Sequence, residues 1–170
     1  MEGIDIITID ELCKTINYSG YYLFPDNMEK VLIELISTKY SKTNELHYCW
    51  SYFEPCHRLE LKIRPTNEFY LKMEESLFNN KDMVFFAIDA DCIIENRLML
   101  IETRKLLLIL KKYYWELDEI YIASIKYDWL ISVNHIFEFN FIGDELIKCV
   151  KEGILSNQIQ HLIIDMMEYR

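Results

Sequence analysis

Three groups of residues in the 170-residue chain carry side chains able to do chemistry. His47, Cys49, Cys56 and His57 are metal ligands by type, and on a strand His47 and Cys49 would share a face. Their spacing, H-x-C-x6-C-H, departs from the short C-x2-C or H-x3-H steps that close a tetrahedral zinc site. The reading is therefore core packing beside a loop histidine, with no metal and no other cofactor. Asp89 and Asp91 stand two apart at the end of an apolar run, where carboxylates could hold Mg²⁺ or Ca²⁺. With Glu95 they lack the glycine and the oxygen density of a calcium loop, and Asp is an ordinary turn residue because its side chain bonds nearby backbone. His135, after Asn134, could act as a general base. No GxSxG or Cys-centred signature marks a nucleophile for it, and Asn-His also suits a turn. With four scattered glycines there is no glycine-rich loop to cradle phosphates. No catalytic residue is assigned; an enzyme reading would rest on His135 or on the Asp89/Asp91 pair.

The elements that must position these groups are organised around Asp118 to Gly143, the densest run of strand-forming residues. It predicts three antiparallel strands near 120–125, 128–133 and 136–142. Phe137, Phe139 and Phe141 alternate with Glu138 and Asn140, the period of two that a half-buried strand requires. The first two strands are apolar on both faces and are expected to be central. Trp50, Trp115 and Trp129 could anchor an interface, but Trp129 is read as core.

Upstream, residues 9–17 form an amphipathic helix with Thr8 as N-cap, and 18–24 a loop. Pro25-Asp26 starts a stronger helix, with Asp26 and Glu29 at capping-box spacing and Met28, Val31, Leu32, Leu35 and Ile36 as one apolar stripe. The aromatic run 46–53 and the alternating 59–63 read as strands, 66–78 as a helix, and 83–88 with 96–101 as a hairpin. Thr103 caps a helix whose last turn carries Lys111 and Lys112, cations that suit the helix dipole. Asp144 caps another helix. Ser156 caps a last one, with Ile159, Leu162, Ile163, Met166 and Met167 at helical spacing. No repeat or linker divides the chain, so residues 1–170 make one α+β domain, a mainly antiparallel sheet with helices packed on it.

Bulk composition limits the function. The net charge is −10, and from residue 113 onward acids outnumber bases 10 to 4. Such a surface repels phosphate backbones and anionic membranes and attracts cations. Nucleic acid and membrane are therefore excluded as partners, and a basic protein is favoured. Five scattered cysteines without CxxC point to a reducing compartment. The N-terminus carries no secretory signal pattern. A cytoplasmic location is expected.

The run YIASIKYDWLISVNH, followed by FIG, resembles small uncharacterised bacterial proteins reading roughly EYYIVSKKYDWLICENHHDVL…VG. Upstream, YCWSYF resembles their WLWESF segment. Some of those proteins are encoded among immunity genes of polymorphic toxin systems. The resemblance implies an immunity-type protein that neutralises a partner toxin by covering its site. Of the relatives' polar cluster, Asn134 and His135 are kept, while Val133, Ile136 and Phe137 replace the rest. The partner-binding surface is assigned to Asp118, Glu119, Tyr127, Asp128, Asn134, His135 and Glu138. The charges of Asp118, Glu119, Asp128 and Glu138 are expected to be solvated at strand ends or on the outward side of the alternation.

Overall fold

Eight strands form one sheet in the order β1-β4-β3-β5-β6-β7-β2-β8. They are β1 (Tyr21–Leu23), β2 (Arg58–Ile63), β3 (Met83–Asp89), β4 (Leu98–Glu102), β5 (Glu119–Ser124), β6 (Leu130–Val133), β7 (Glu138–Ile142) and β8 (Ile163–Tyr169). Every pairing is antiparallel. This computed structural model describes residues 8–43, 49–53, 57–77, 82–89, 98–113, 117, 119–155 and 159–169. The fold is α+β, with β5 and β6 in the middle of the sheet. Apolar residues on both faces of these strands put them there, because only interior strands are covered on both sides.

Four helices cover one face. They are α1 (Ile9–Thr15), α3 (Asn67–Leu77), α4 (Thr103–Tyr113) and α5 (Asp144–Cys149), the last running into a π turn at Val150–Ile154. Their Leu12, Phe69, Met73, Leu106, Leu110 and Ile147 meet Leu59, Leu61, Phe86, Ile122, Phe139 and Phe141 of the strands. Full burial of one such side chain stabilises by roughly 1.5–3 kcal/mol, so this layer dominates the fold. Thr8 caps α1 in a capping box with Glu11. At Gly153 a Cβ would strike Ser76, so glycine is what lets the π turn lie against α3.

The other face carries α2 (Asp26–Tyr40) and a 3₁₀ turn, Cys49–Tyr52. Ile36, Tyr40, Cys49 and Phe53 pack there on Phe85, Ala87, Tyr121, Ala123 and Leu130.

Several expectations are corrected. The apolar stripe of α2 is split: Ile36 is buried against the sheet and Leu32 partly so, together with Glu29, Ser37 and Tyr40, while Met28, Val31 and Leu35 are exposed. The Asp26/Glu29 capping box is absent. Pro25 holds the N-cap position without a side-chain cap, and Glu29 Oε2 instead accepts a hydrogen bond from the Leu98 N–H at 3.3 Å. Of 46–53, the described part forms the 3₁₀ turn and one isolated bridge, Ser41 with Phe53. Within 18–24 lies the short edge strand β1. Gly143, not Asp144, is the N-cap of α5.

The largest correction is the last helix: Ile159 and Leu162 fall in a turn and the 3₁₀ segment Gln160–Leu162, and Ile163, Met166 and Met167 lie in β8, paired along β2. A second antiparallel partner for β2 satisfies that strand's outer N–H and C=O groups, a gain that outweighs a helical apolar pattern. Within the phenylalanine row, Phe139 and Phe141 are buried. Phe137 sits before the strand at φ +60° and is only half-buried, and Trp129 is half-buried as well. Asn140, expected outward, is buried on the α2 side of the sheet.

Candidate functional site

β5 and β6 are joined by a tight turn, Ile125–Trp129, whose backbone is tied down by Ser124. The Ser124 C=O accepts from Tyr127 N–H at 3.0 Å, and its N–H donates to the Trp129 C=O at 3.2 Å. The Ser124 hydroxyl oxygen accepts from the N–H groups of Lys126 and Asp128, both at 3.2 Å, and the hydroxyl donates to the Asp128 carboxylate. One serine thus organises the turn and fixes a carboxylate at its tip. Tyr127 takes a left-handed conformation, φ +57°. Its ring stacks on Phe85 at 5.6 Å, and burial raises the phenol above its ordinary pKa.

Gly143 explains why a glycine follows at the end of β7. It has φ +117°, and a Cβ there would come within 2.8 Å of the Asp128 carbonyl oxygen and 2.9 Å of Trp129 Cβ. Only glycine combines that backbone angle with that approach. The residues of the sequence run and the distant FIG segment are therefore one structural unit.

The turn separates two cavities. One, of about 260 Å³, has Asp82, Thr103, Ser124, Lys126, Asp128 and Trp129 among its walls. Two carboxylates beside an indole, with Lys126 offsetting one of them, leave the cavity one negative charge in excess, which suits a lysine or arginine side chain through charge and the ring face together. The other, of about 350 Å³, lies between Tyr127 and Leu35, Thr38 and Lys39 of α2. The exposed Val31 and Met28 continue the apolar side of α2 away from it. An acidic pocket with an aromatic wall beside an apolar one can take a basic residue and an apolar anchor from a single partner.

The partner-binding residues assigned from the sequence fall at two ends of the sheet. Tyr127 and Asp128 belong to this turn. Glu119, Asn134, His135 and Glu138 cluster at the opposite end of β5, about 17 Å away at the usual rise per strand residue. Asp118 lies outside the described residues. Glu119 is not solvated as expected but buried, and Asn134 is buried beside it. Asn134 Oδ1 accepts from the N–H groups of Ile136 and Glu138, and Nδ2 donates to Glu138 Oε2 at 3.0 Å. Its role is to close the β6–β7 turn, where the left-handed residue is Phe137 and not Asn134.

Glu119 Oε2 accepts from the Tyr121 hydroxyl at 3.2 Å, and Oε1 lies 3.9 Å from Nδ1 of the exposed His135. Asp89 stands directly across from Glu119 in the β3–β5 ladder. Asp91, Glu95, His47 and Cys56 lie outside the described residues. Burial pushes the Cys49 thiol up to about 11; the bond to Ser41 opposes this and the charges of Glu119 and Asp89 add to it. Cys49 is thus a buried thiol and a poor nucleophile at neutral pH. His57 pairs instead with Asp144 and Glu168, through Nδ1 at 2.8 Å and Nε2 at 3.0 Å. Among the described residues no three His, Cys, Asp or Glu side chains group at metal-binding distance.

A family model matches residues 10–154, which takes in both cavities, the β5–β6 turn and Gly143. The chain belongs to the DUF6756 family. That family is described as one of unknown function. Among curated proteins and solved structures nothing matches. Within this DUF6756 chain, sequence reasoning missed Asp82, Ser124, Lys126 and Leu35 as site residues. The signal for Ser124 was present in the spacing Ser124-x3-Asp128 across a turn, since a serine before a turn bonds its own backbone. Asp82 and Leu35 come from distant elements and carried no local signal. No helix of the described residues is long and apolar enough to cross a membrane.

Proposed function

We propose that this DUF6756 chain is a cytoplasmic protein-binding protein of the immunity type, which neutralises a cationic toxin by covering it. One observation carries the reading: the β5–β6 turn sets Asp128 and Trp129 in an acidic cavity and Tyr127 in an apolar one, next to exposed Leu35. The net charge of −10 would steer a basic partner to such a surface and raise the encounter rate. The resemblance of this same turn to small bacterial proteins, some of them encoded among immunity genes, supports the biological setting.

The test is co-expression with the toxin-like products of neighbouring genes. The wild-type chain is expected to restore growth, and Asp128→Lys with Asp82→Lys to fail while remaining folded by circular dichroism. With purified partners, the double reversal should slow association several-fold at low salt and much less at high salt. Rescue of growth by the double variant at wild-type level would remove the turn as the binding site.

A small enzyme is the second reading, favoured by one observation: His135 and Asp89 both stand next to Glu119. Growth rescue unchanged by His135→Gln is the expected outcome under the binding reading. Turnover of a small molecule that disappears in His135→Gln would favour the enzyme.

A further inference from the structure

The sheet has two edges of different character. β1 is three residues long, whereas β8 runs for seven, Ile163–Tyr169, and pairs only with β2 among the described strands. Proteins blunt long edges with lysine, proline or a bulge, because an open strand edge recruits another strand. β8 reads IIDMMEY and has no lysine, arginine or proline. Its Ile164 and Met166 are each 56% exposed, Met167 44% and Tyr169 37%. Its one register shift lies at the start, opposite Lys62/Ile63, and leaves the rest regular. The strand is anchored rather than frayed: Glu168 is held by Lys151 at 2.8 Å and by His57 at 3.0 Å, and the Arg58 guanidinium lies 4.1 Å over the Tyr169 ring.

The two faces of the edge differ in chemistry. Met166 is in register with Leu61, on the helix side of the sheet, and Ile163 with Ile63 on that same side, while the register shift makes Ile164 the extra residue. On the other side Asp165 is in register with Lys62, and Met167 with Glu60. Glu138 flanks Lys62 from β7. The Glu60 carboxyl is held above its ordinary range by burial, with Glu138 adding to it, Arg58 opposing, and Asp165 adding as well. That side carries the carboxyls of Glu60, Glu138 and Asp165 against the cations Arg58 and Lys62, with Arg58 3.8 Å from Glu60, so the charge at the outer strand itself is the negative Asp165.

We propose that β8 is a docking strand that takes an extended segment of a basic partner protein by strand addition. Apolar side chains of the segment would lie against Met166, and alternate lysines or arginines would reach Asp165. A second copy of this chain fits less well. Two β8 strands paired about Met166 would bring Asp165 to within about 7–8 Å of its own counterpart, between two chains of net charge −10. The inference shares a basic partner with the proposed function but uses a different surface from the β5–β6 turn.

The experiment is hydrogen exchange on the full chain with two synthetic eight-residue peptides, one alternating Val and Lys, the other Val and Glu. The Val–Lys peptide is expected to slow alternate β8 amides several-fold, with the effect weakening as salt rises, and the Val–Glu peptide to leave them unchanged. Asp165→Lys and Met166→Lys, both at exposed positions, should abolish that protection, and Asp128→Lys should not. The inference is overturned by absence of protection, by equal protection with both peptides, or by β8 protection that grows with protein concentration alone, which would mean a second copy. Failure here with growth rescue still lost on reversing Asp82 and Asp128 leaves the proposed function intact.

Discussion

Single positions carry much of the site's definition. Gly143 sits at φ +117° against the backbone of Asp128 and Trp129. Gly143→Ala is expected to destabilise by on the order of 1–3 kcal/mol from the backbone angle alone, with the clash adding to it. Denaturant unfolding measures this, and an unchanged midpoint would show that the turn does not hold α5 and β7 as described. Cys49 makes a second residue-level prediction. Its thiol, pushed up to about 11, lies in contact with Ser41 at 3.2 Å and is almost wholly buried. In the folded chain at pH 8 iodoacetamide should spare Cys49, and after unfolding it should label it, as read by peptide mass mapping. Labelling at equal rates in both states would contradict the packing of the 3₁₀ turn on the sheet.

At the scale of elements, the attachment of β8 depends on pH through His57. Its ring bonds Glu168 and Asp144 from both nitrogens, which requires the protonated imidazolium, and these carboxylates raise its pKa above the ordinary 6.5. The folded pKa is higher than the unfolded one, so this contribution is fully present below pH 6.5 and is lost as pH rises through the raised value. Exchange of β8 amides, corrected for intrinsic rate, should therefore be relatively faster at pH 8 than at pH 6, and His57→Gln should remove the difference. A pH-independent ratio in the wild type would mean that the Lys151–Glu168 pair holds the strand unaided. The same element shows where sequence reading stops. β3, β5, β6 and β7 were legible because continuous or alternating apolar runs between turn residues have few other uses. Ile163–Tyr169 was not, since Ile159, Leu162, Ile163, Met166 and Met167 satisfy a helical period, and only the open outer edge of β2 decides for a strand. The stripe on α2 was recognised as a stripe, but only Ile36 and part of Leu32 pack on the sheet, because amphipathicity alone does not say which residues meet it. Tyr127 and Asp128 were legible as residues of a turn between two strands. Asp82 and Leu35 reach the same place only through the β3–β5 pairing and the packing of α2, which no local pattern encodes.

For the whole molecule, charge acts on stability and on binding with opposite signs. The chain holds 28 acids against 18 lysines and arginines. Several described ion pairs are exposed, such as Lys14–Asp10 with both side chains about 60% accessible. Exposed pairs contribute little each, and salt removes that little. The ten unbalanced negative charges repel one another across the whole surface, and folding brings them closer together. At about 0.01 M salt the screening length is roughly 30 Å and spans much of a domain of this size; at about 0.15 M it falls to roughly 8 Å and leaves only near neighbours interacting. Relief of the repulsion is thus the larger effect, and the thermal midpoint should rise as NaCl goes from 0.01 to 0.15 M. NaCl is preferred to sulfate, which would strengthen apolar burial on its own account. A falling midpoint would mean that local ion pairs outweigh the excess charge and would weaken the case for a strongly negative surface. Association with a basic partner should respond in the opposite direction over the same range, because the field that destabilises the isolated chain is the one that draws the partner in.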